Sequence, residues 1–73
     1  MPPVVPIIAT PEDIGRLIRT RRKALRMTQE RLAMQSGVVP QTISAIENGK
    51  SSAQIGIVLQ LCRDLGIRLG EVG

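Results

Sequence analysis

Residues 28–50 read TQERLAMQSGVVPQTISAIENGK. The stretch holds two short helical patterns joined by a glycine. Thr28 suits a helix N-cap, and QERLAMQS follows it with Leu32 and Ala33 facing inward. Gly37 supplies the left-handed residue that ends such a helix. A further helix is predicted from about Pro40 to Glu47, with Val38, Ile43 and Ile46 spaced to press it inward. Its other face carries Gln41, Thr42 and Ser44, which are polar but uncharged. A solvated helix face is usually rich in Lys and Glu, so this face needs a different explanation. Asn48-Gly49 marks the turn that follows.

A helix, a glycine turn and a second helix between Met27 and Gly49 fit the DNA-binding helix-turn-helix. Such a unit needs apolar Leu32 and small Ala33 where its helices cross, and it needs Gly37 at the turn. A helix laid in a major groove reads base edges with short hydrogen-bonding side chains and leaves cations at its flanks for phosphates. That requirement accounts for the uncharged face.

The surrounding chain agrees. Thr10-Pro11-Glu12-Asp13 is a helix start, with a capping hydroxyl, a proline in the first turn and acids at the positive end of the dipole. Ile14, Leu17, Ile18 and Leu25 then recur on one side, and Arg16, Arg19, Lys23 and Arg26 on the other. After the turn, Ser51 and Gln54 are spaced as a capping box for a fourth helix. Its predicted inner stripe is Ile55, Val58, Leu59, Cys62 and Leu65, with Ile57 and Leu61 left over for a second protein surface. Gly66 stops it. Alternation in IRLGEV predicts a short strand from Ile67, which an all-helical domain can pair only with another chain. Three prolines exclude a helix or central strand from residues 1–9. The domain reading is therefore a flexible arm over 1–9, a helical domain over 10–66 and a strand or tail over 67–73.

Bulk properties narrow the function. At 73 residues the chain makes one small domain. One cysteine and no histidine preclude an internal disulfide and a zinc cluster, and they point to a reducing, cytoplasmic setting. No run of about 18 apolar residues is present, and the start lacks the basic leader of a secretory signal, so no membrane association is expected. Seven of the ten basic residues fall between Arg16 and Arg31, opposed there by Glu30 alone. That density suits a polyanion partner, or equally a solvated helix face. The absence of Phe, Trp and Tyr removes the stacking platforms of single-strand binders. Ser44 and Cys62 have no general base at a sensible spacing, so no enzyme, small-molecule substrate or cofactor is expected.

The run from Thr28 to Lys50 resembles the Cro/lambda-repressor (XRE) type of helix-turn-helix, whose pattern is T-Q-x-x-L-A, a glycine, then T-I-S-x-x-E-x-G-K. The resemblance covers Pro11 to about Gly66. It implies an all-α, lambda-repressor-like bundle of four to five short helices, and dimers on near-palindromic double-stranded operators. Carried onto this sequence, it implies base contacts from Pro40, Gln41, Thr42, Ser44 and Ala45. Phosphate contacts would come from Gln29, Thr42, Asn48, Lys50, Arg22 and Arg19. Arg22 would also pair with Glu47, and Ile57, Leu61, Ile67 and Leu69 would form a homodimer interface. The sequence departs at Val39, where Ser or Lys is common, and at Pro40, where glutamine is common; Pro40 cannot donate to a base. ATPEDIG and IRLGEV further resemble the HipB-like antitoxins, which implies an autoregulating repressor that also binds a HipA-like toxin kinase. A phage-type repressor without a toxin, or a module mainly neutralising a toxin, fits the same residues.

Overall fold

The computed structural model describes residues 8–50 and 52–69. Helix α1 spans Pro11–Ala24. Thr10 Oγ1 accepts the Asp13 N–H at 3.1 Å, and Asp13 Oδ2 accepts the N–H groups of Thr10 at 3.1 Å and Ala9 at 3.0 Å. This reciprocal capping box satisfies three backbone donors at once. It also holds the Asp13 carboxyl below the usual carboxylate range, chiefly through the Ala9 N–H and then the Thr10 side chain.

Helix α2 spans Gln29–Ser36, with Thr28 Oγ1 accepting the Arg31 N–H at 3.0 Å. Gly37, at φ 72°, closes it, and the chain turns into α3, Pro40–Glu47. A second glycine turn, Gly49 at φ 80°, precedes α4, Ile55–Asp64. Among the described residues these four helices account for all regular structure and no strand is present, so the fold is all-α.

Helix α3 packs on both α1 and α2, and α4 packs on α2. The core between them is Ile18, Leu32, Ala33, Ile43, Ile46, Val58, Leu61, Cys62 and Leu65. Ile14, Met27, Val38, Ala53, Ile57 and Ile67 close its margins. Burying one such large aliphatic side chain contributes about 1.5–3 kcal/mol. Helices α1 and α3 cross closely at Gly15, where a β-carbon would collide with the Ile46 and Glu47 carbonyl oxygens of α3.

Polar links tie α4 down. The Ser36 hydroxyl donates to Asp64 Oδ2 at 2.6 Å, and Gln60 Nε2 donates to the Ser36 carbonyl at 2.7 Å. Arg21 Nε donates to the Leu65 carbonyl at 2.9 Å, satisfying an acceptor at the α4 terminus.

The structure departs from the sequence reading in five places. Leu61 is completely buried, so it belongs to the inner stripe with Val58, Cys62 and Leu65 and has no surface to offer a second chain. Ile55 and Leu59, expected inside, are 68% and 41% exposed. The α4 N-cap is Gln54 and makes no side-chain capping bond; Ser51 lies outside the described residues. Leu25, expected on the inner face of the first helix, caps α1 and is exposed, because the helix has already ended. The predicted strand begins in Ile67 to Leu69, which are described and carry none; its remainder, like most of the N-terminal arm, lies outside the described residues.

Candidate nucleic-acid interface

The outward face of α3 is built by what its inward face needs. Ile43 and Ile46 are 0% and 2% exposed and fix the rotation of the helix. Gln41 is thereby exposed, and Thr42, Ser44 and Ala45 are half-buried on the flanks of the same side. Asn48 and Lys50 extend the exposed surface past the helix end. Gln41, Ser44, Ala45, Asn48 and Lys50 line an open recess of about 460 Å³. A neighbouring one of about 330 Å³ shares Gln41, Ala45 and Lys50 and adds Thr42 and Gln54. Both are shallow surface depressions of the kind an extended ligand would cover, not enclosed cavities.

The hydrogen-bonding groups on this face are available. The contact from Asn48 Nδ2 to Ser44 Oγ is long, at 3.5 Å. Val39 caps α3 with no side-chain bond, Pro40 has no N–H, and the first turn holds no acidic residue. The positive end of the α3 dipole is therefore uncompensated by the side chains of α3's own cap and first turn. Pro40 is half-buried and Val39 is 59% exposed, so an apolar surface stands at the entry to the helix.

Beneath the opposite end of α3 lies a buried polar network. Glu47 Oε2 accepts from Arg22 Nε at 2.6 Å, and Oε1 accepts from Arg22 Nη2 at 2.9 Å. This is a bidentate ion pair whose side chains are 8% and 2% exposed. Arg22 Nη1 donates to the Met27 carbonyl at 2.7 Å, and Gln29 Nε2 donates to Glu47 Oε1 at 3.2 Å. The bond to Glu47 raises the Arg22 pKa above its ordinary value, against the opposing effect of burial. The network joins α1, the α1–α2 turn, the first residue of α2 and the last residue of α3. No buried side-chain donor or acceptor among the described residues is left without a partner.

The structure thus brings Gln41, Thr42, Ser44, Ala45, Asn48 and Lys50 onto one surface. Arg22 is buried and Gln29 half-buried, both bonded to Glu47 at the end of α3 and lining neither recess. Arg19 is exposed on α1 and lines neither recess. Of the seam candidates, Ile57 and Ile67 are half-buried and Leu69 is 44% exposed. Sequence reasoning missed the Gln29–Glu47 bond and the Ser36–Asp64–Gln60 link. The four-residue spacing of Gln60 and Asp64 on one helix face was the available signal for the second.

A family model described as helix-turn-helix matches residues 18–72. The chain belongs to the helix-turn-helix family of transcriptional regulators. Within it, the chain is similar to an uncharacterized HTH-type transcriptional regulator, y4mF, of Sinorhizobium fredii. The two are 48% identical over 59 residues, which cover 81% of this chain and 78% of the relative. The helix-turn-helix fold is also close to those of two solved structures, a HipA–HipB–O2–O3 complex and a HipB–O4 20mer complex. Each aligns with a TM-score of 0.82 at 21% identity, over 92% of this chain and 94% of the other. The unit is therefore of the Cro/lambda-repressor (XRE) type, with HipB as its structural likeness. No helix among the described residues is long and apolar enough to cross a membrane.

Proposed function

We propose that this regulator is a homodimeric repressor that reads a near-palindromic double-stranded operator with α3, and that it is the cytoplasmic antitoxin of a HipA/HipB-like pair, repressing its own operon. One observation carries the DNA reading. The exposed side of α3 is short-armed and uncharged, its inner side is locked by Ile43 and Ile46, and Lys50 stands just beyond its end. Gln41, Thr42, Ser44 and Ala45 then face base edges, with Val39 and Pro40 against a thymine methyl. Asn48, Lys50 and Gln29 hold the sugar–phosphate backbone, and Arg19 adds a peripheral cation. Arg22 acts by pairing with Glu47 and so holding Gln29 in place.

A palindromic reader needs a two-fold partner. Ile57, Ile67 and Leu69, joined by the exposed Ile55 and Leu59, supply apolar surface for it. The antitoxin reading is supported by the HipB-like fold, HipB being found both with HipA and with a 20mer.

The test is a selection of bound sites from a random duplex library, followed by titration. Gln41→Ala is expected to relax discrimination at one base position, a contact of this kind being worth about 1–3 kcal/mol. Lys50→Ala is expected to weaken all duplexes alike and to lower the salt slope by about 0.9 for each phosphate no longer neutralised. A Gln41→Ala protein as selective as the parent would remove α3 from the groove. For the toxin, co-expression with the protein encoded next to it is expected to yield a tight complex with a kinase-like chain. Failure to form that complex leaves a stand-alone repressor.

A further inference from the structure

The four helices among the described residues end in the same way. In each, a backbone N–H reaches back five residues to a carbonyl: Met27 to Arg22 at 3.1 Å, Val38 to Ala33 at 3.0 Å, Lys50 to Ala45 at 3.0 Å, and Ile67 to Cys62 at 2.8 Å. This closure requires the residue before each of those donors to be left-handed. Three of the four positions are glycines: Gly37 at φ 72°, Gly49 at φ 80° and Gly66 at φ 72°. The fourth, at the end of α1, is Arg26 at φ 58°, the one non-glycine residue with positive φ among the described residues.

A side chain in this conformation crowds its own backbone, and glycine avoids that cost. Among the described residues, no side-chain contact of Arg26 offsets the strain. Arg26 is exposed, its guanidinium makes no hydrogen bond, and no carboxylate lies within ion-pair distance of it among the described residues. Its location is informative as well. The turn it makes presents the Met27 carbonyl to Arg22 Nη1, and it leads through the Thr28 cap into Gln29, which is bonded to Glu47 at the end of α3. Arg26 therefore stands in the turn through which α1, α2 and the end of α3 are joined.

We propose that Arg26 is a phosphate-gripping residue of the DNA interface, whose cation is held at the rim of the helix-turn-helix by a turn that would be more stable with glycine. The proposal rests on the reading of α3 as the groove helix, and adds to it a contact that does not depend on base sequence. The guanidinium meets a backbone phosphate on the strand flanking the groove, alongside Gln29.

The experiment compares the parent with Arg26→Gly, Arg26→Lys and Arg63→Ala. Arg63 is an exposed cation in the last turn of α4, so its removal changes net charge equally, from a different helix. Each protein is titrated against a duplex carrying its selected operator and a scrambled duplex of the same length, at several salt concentrations, and is melted without DNA. Arg26→Gly is expected to melt higher by roughly 2–8 °C. It should bind both duplexes more weakly, by close to eightfold per protomer at 0.1 M salt, with the slope of log K against log salt smaller by about 0.9 per protomer. Arg26→Lys should keep most of the affinity, the slope and the lower melting temperature.

The proposal is overturned if Arg26→Gly binds with the parent's affinity and salt slope, or if Arg63→Ala loses as much. Either result leaves the groove assignment of α3 standing. If the parent does not prefer its selected duplex to the scrambled one, the groove assignment fails, and the role of Arg26 fails with it.

Discussion

Removing the Glu47 carboxylate is the most revealing single change. Glu47 sits at the last position of α3 with its side chain 2% exposed, and it accepts three hydrogen bonds, two from Arg22 and one from Gln29. In Glu47→Ala the guanidinium of Arg22, whose side chain is 8% exposed in the parent, loses its counter-charge and both bidentate bonds. Breaking a buried pair from one side costs about 3–5 kcal/mol. A folded domain of this length has roughly 4–11 kcal/mol in total. The variant should therefore be close to unfolding at room temperature. The chain has no Phe, Trp or Tyr, so intrinsic fluorescence offers no reporter and urea unfolding is followed by far-UV circular dichroism at fixed protein concentration. With an m value near 1 kcal/mol/M for so small a domain, the midpoint is expected to fall by roughly 3 M or more. The double variant Arg22→Met with Glu47→Leu removes both charges and keeps the volume, so it should recover to within about 1 kcal/mol of the parent. A Glu47→Ala loss below about 1 kcal/mol, or a double variant as weak as the single one, would refute the view that α3 is tethered by a charge pair cut off from water.

Gly15→Ala places a methyl group against the Ile46 and Glu47 backbone carbonyls, so it should destabilise by about 1–3 kcal/mol or more despite alanine's better helix propensity; urea unfolding measures it, and a gain in stability would contradict the close crossing. The Asp13 carboxyl is held below its ordinary value of 3.8, so its contribution is present above that pH and disappears as the pH falls through the lower folded value. The stability gap between parent and Asp13→Asn should accordingly be constant near neutrality and shrink below about pH 4, whereas a gap independent of pH would show the cap to be worth the same without its charge. Cys62 is 1% exposed and burial pushes its thiol pKa up, so a thiol reagent should label it only as fast as the domain opens. Labelling at the rate of a free thiol in native buffer would show that α4 is not docked as described.

The helix-turn-helix was legible because each of its boundaries is a local chemical event. Thr28 caps, Gly37 turns, and Ile43 with Ile46 defines an inner face within one short helix. The fourth helix was harder. IGIVLQLCRD is apolar on most of its circumference, so periodicity could not tell Leu61, which lies at its buried centre, from Leu59, which faces out. Gly15 and Arg26 left no trace in the pattern for a related reason. Gly15 is required by the backbone of another helix far along the chain. Arg26 is required to be left-handed by the closure of its own helix, and arginine does not advertise that conformation. The Gln29–Glu47 bond, likewise, exists only once two turns have brought the start of α2 against the end of α3.

These invisible contacts bear on function because α3 cannot hold itself in register. It has eight residues, no side-chain cap at Val39 and no acid in its first turn, and in isolation a helix so short would not form in water. Its rotation comes from Ile43 and Ile46, its closeness to α1 from Gly15, and its axial position from Glu47 gripping Arg22. A hydrogen bond to a base edge weakens steeply with misdirection, so a small slide or roll of α3 degrades discrimination while leaving general attraction to phosphates nearly intact. Substitutions in the buried network that still permit folding should therefore lose preference between duplexes before they lose affinity for DNA as such. Cationic substitutions at the rim should do the reverse.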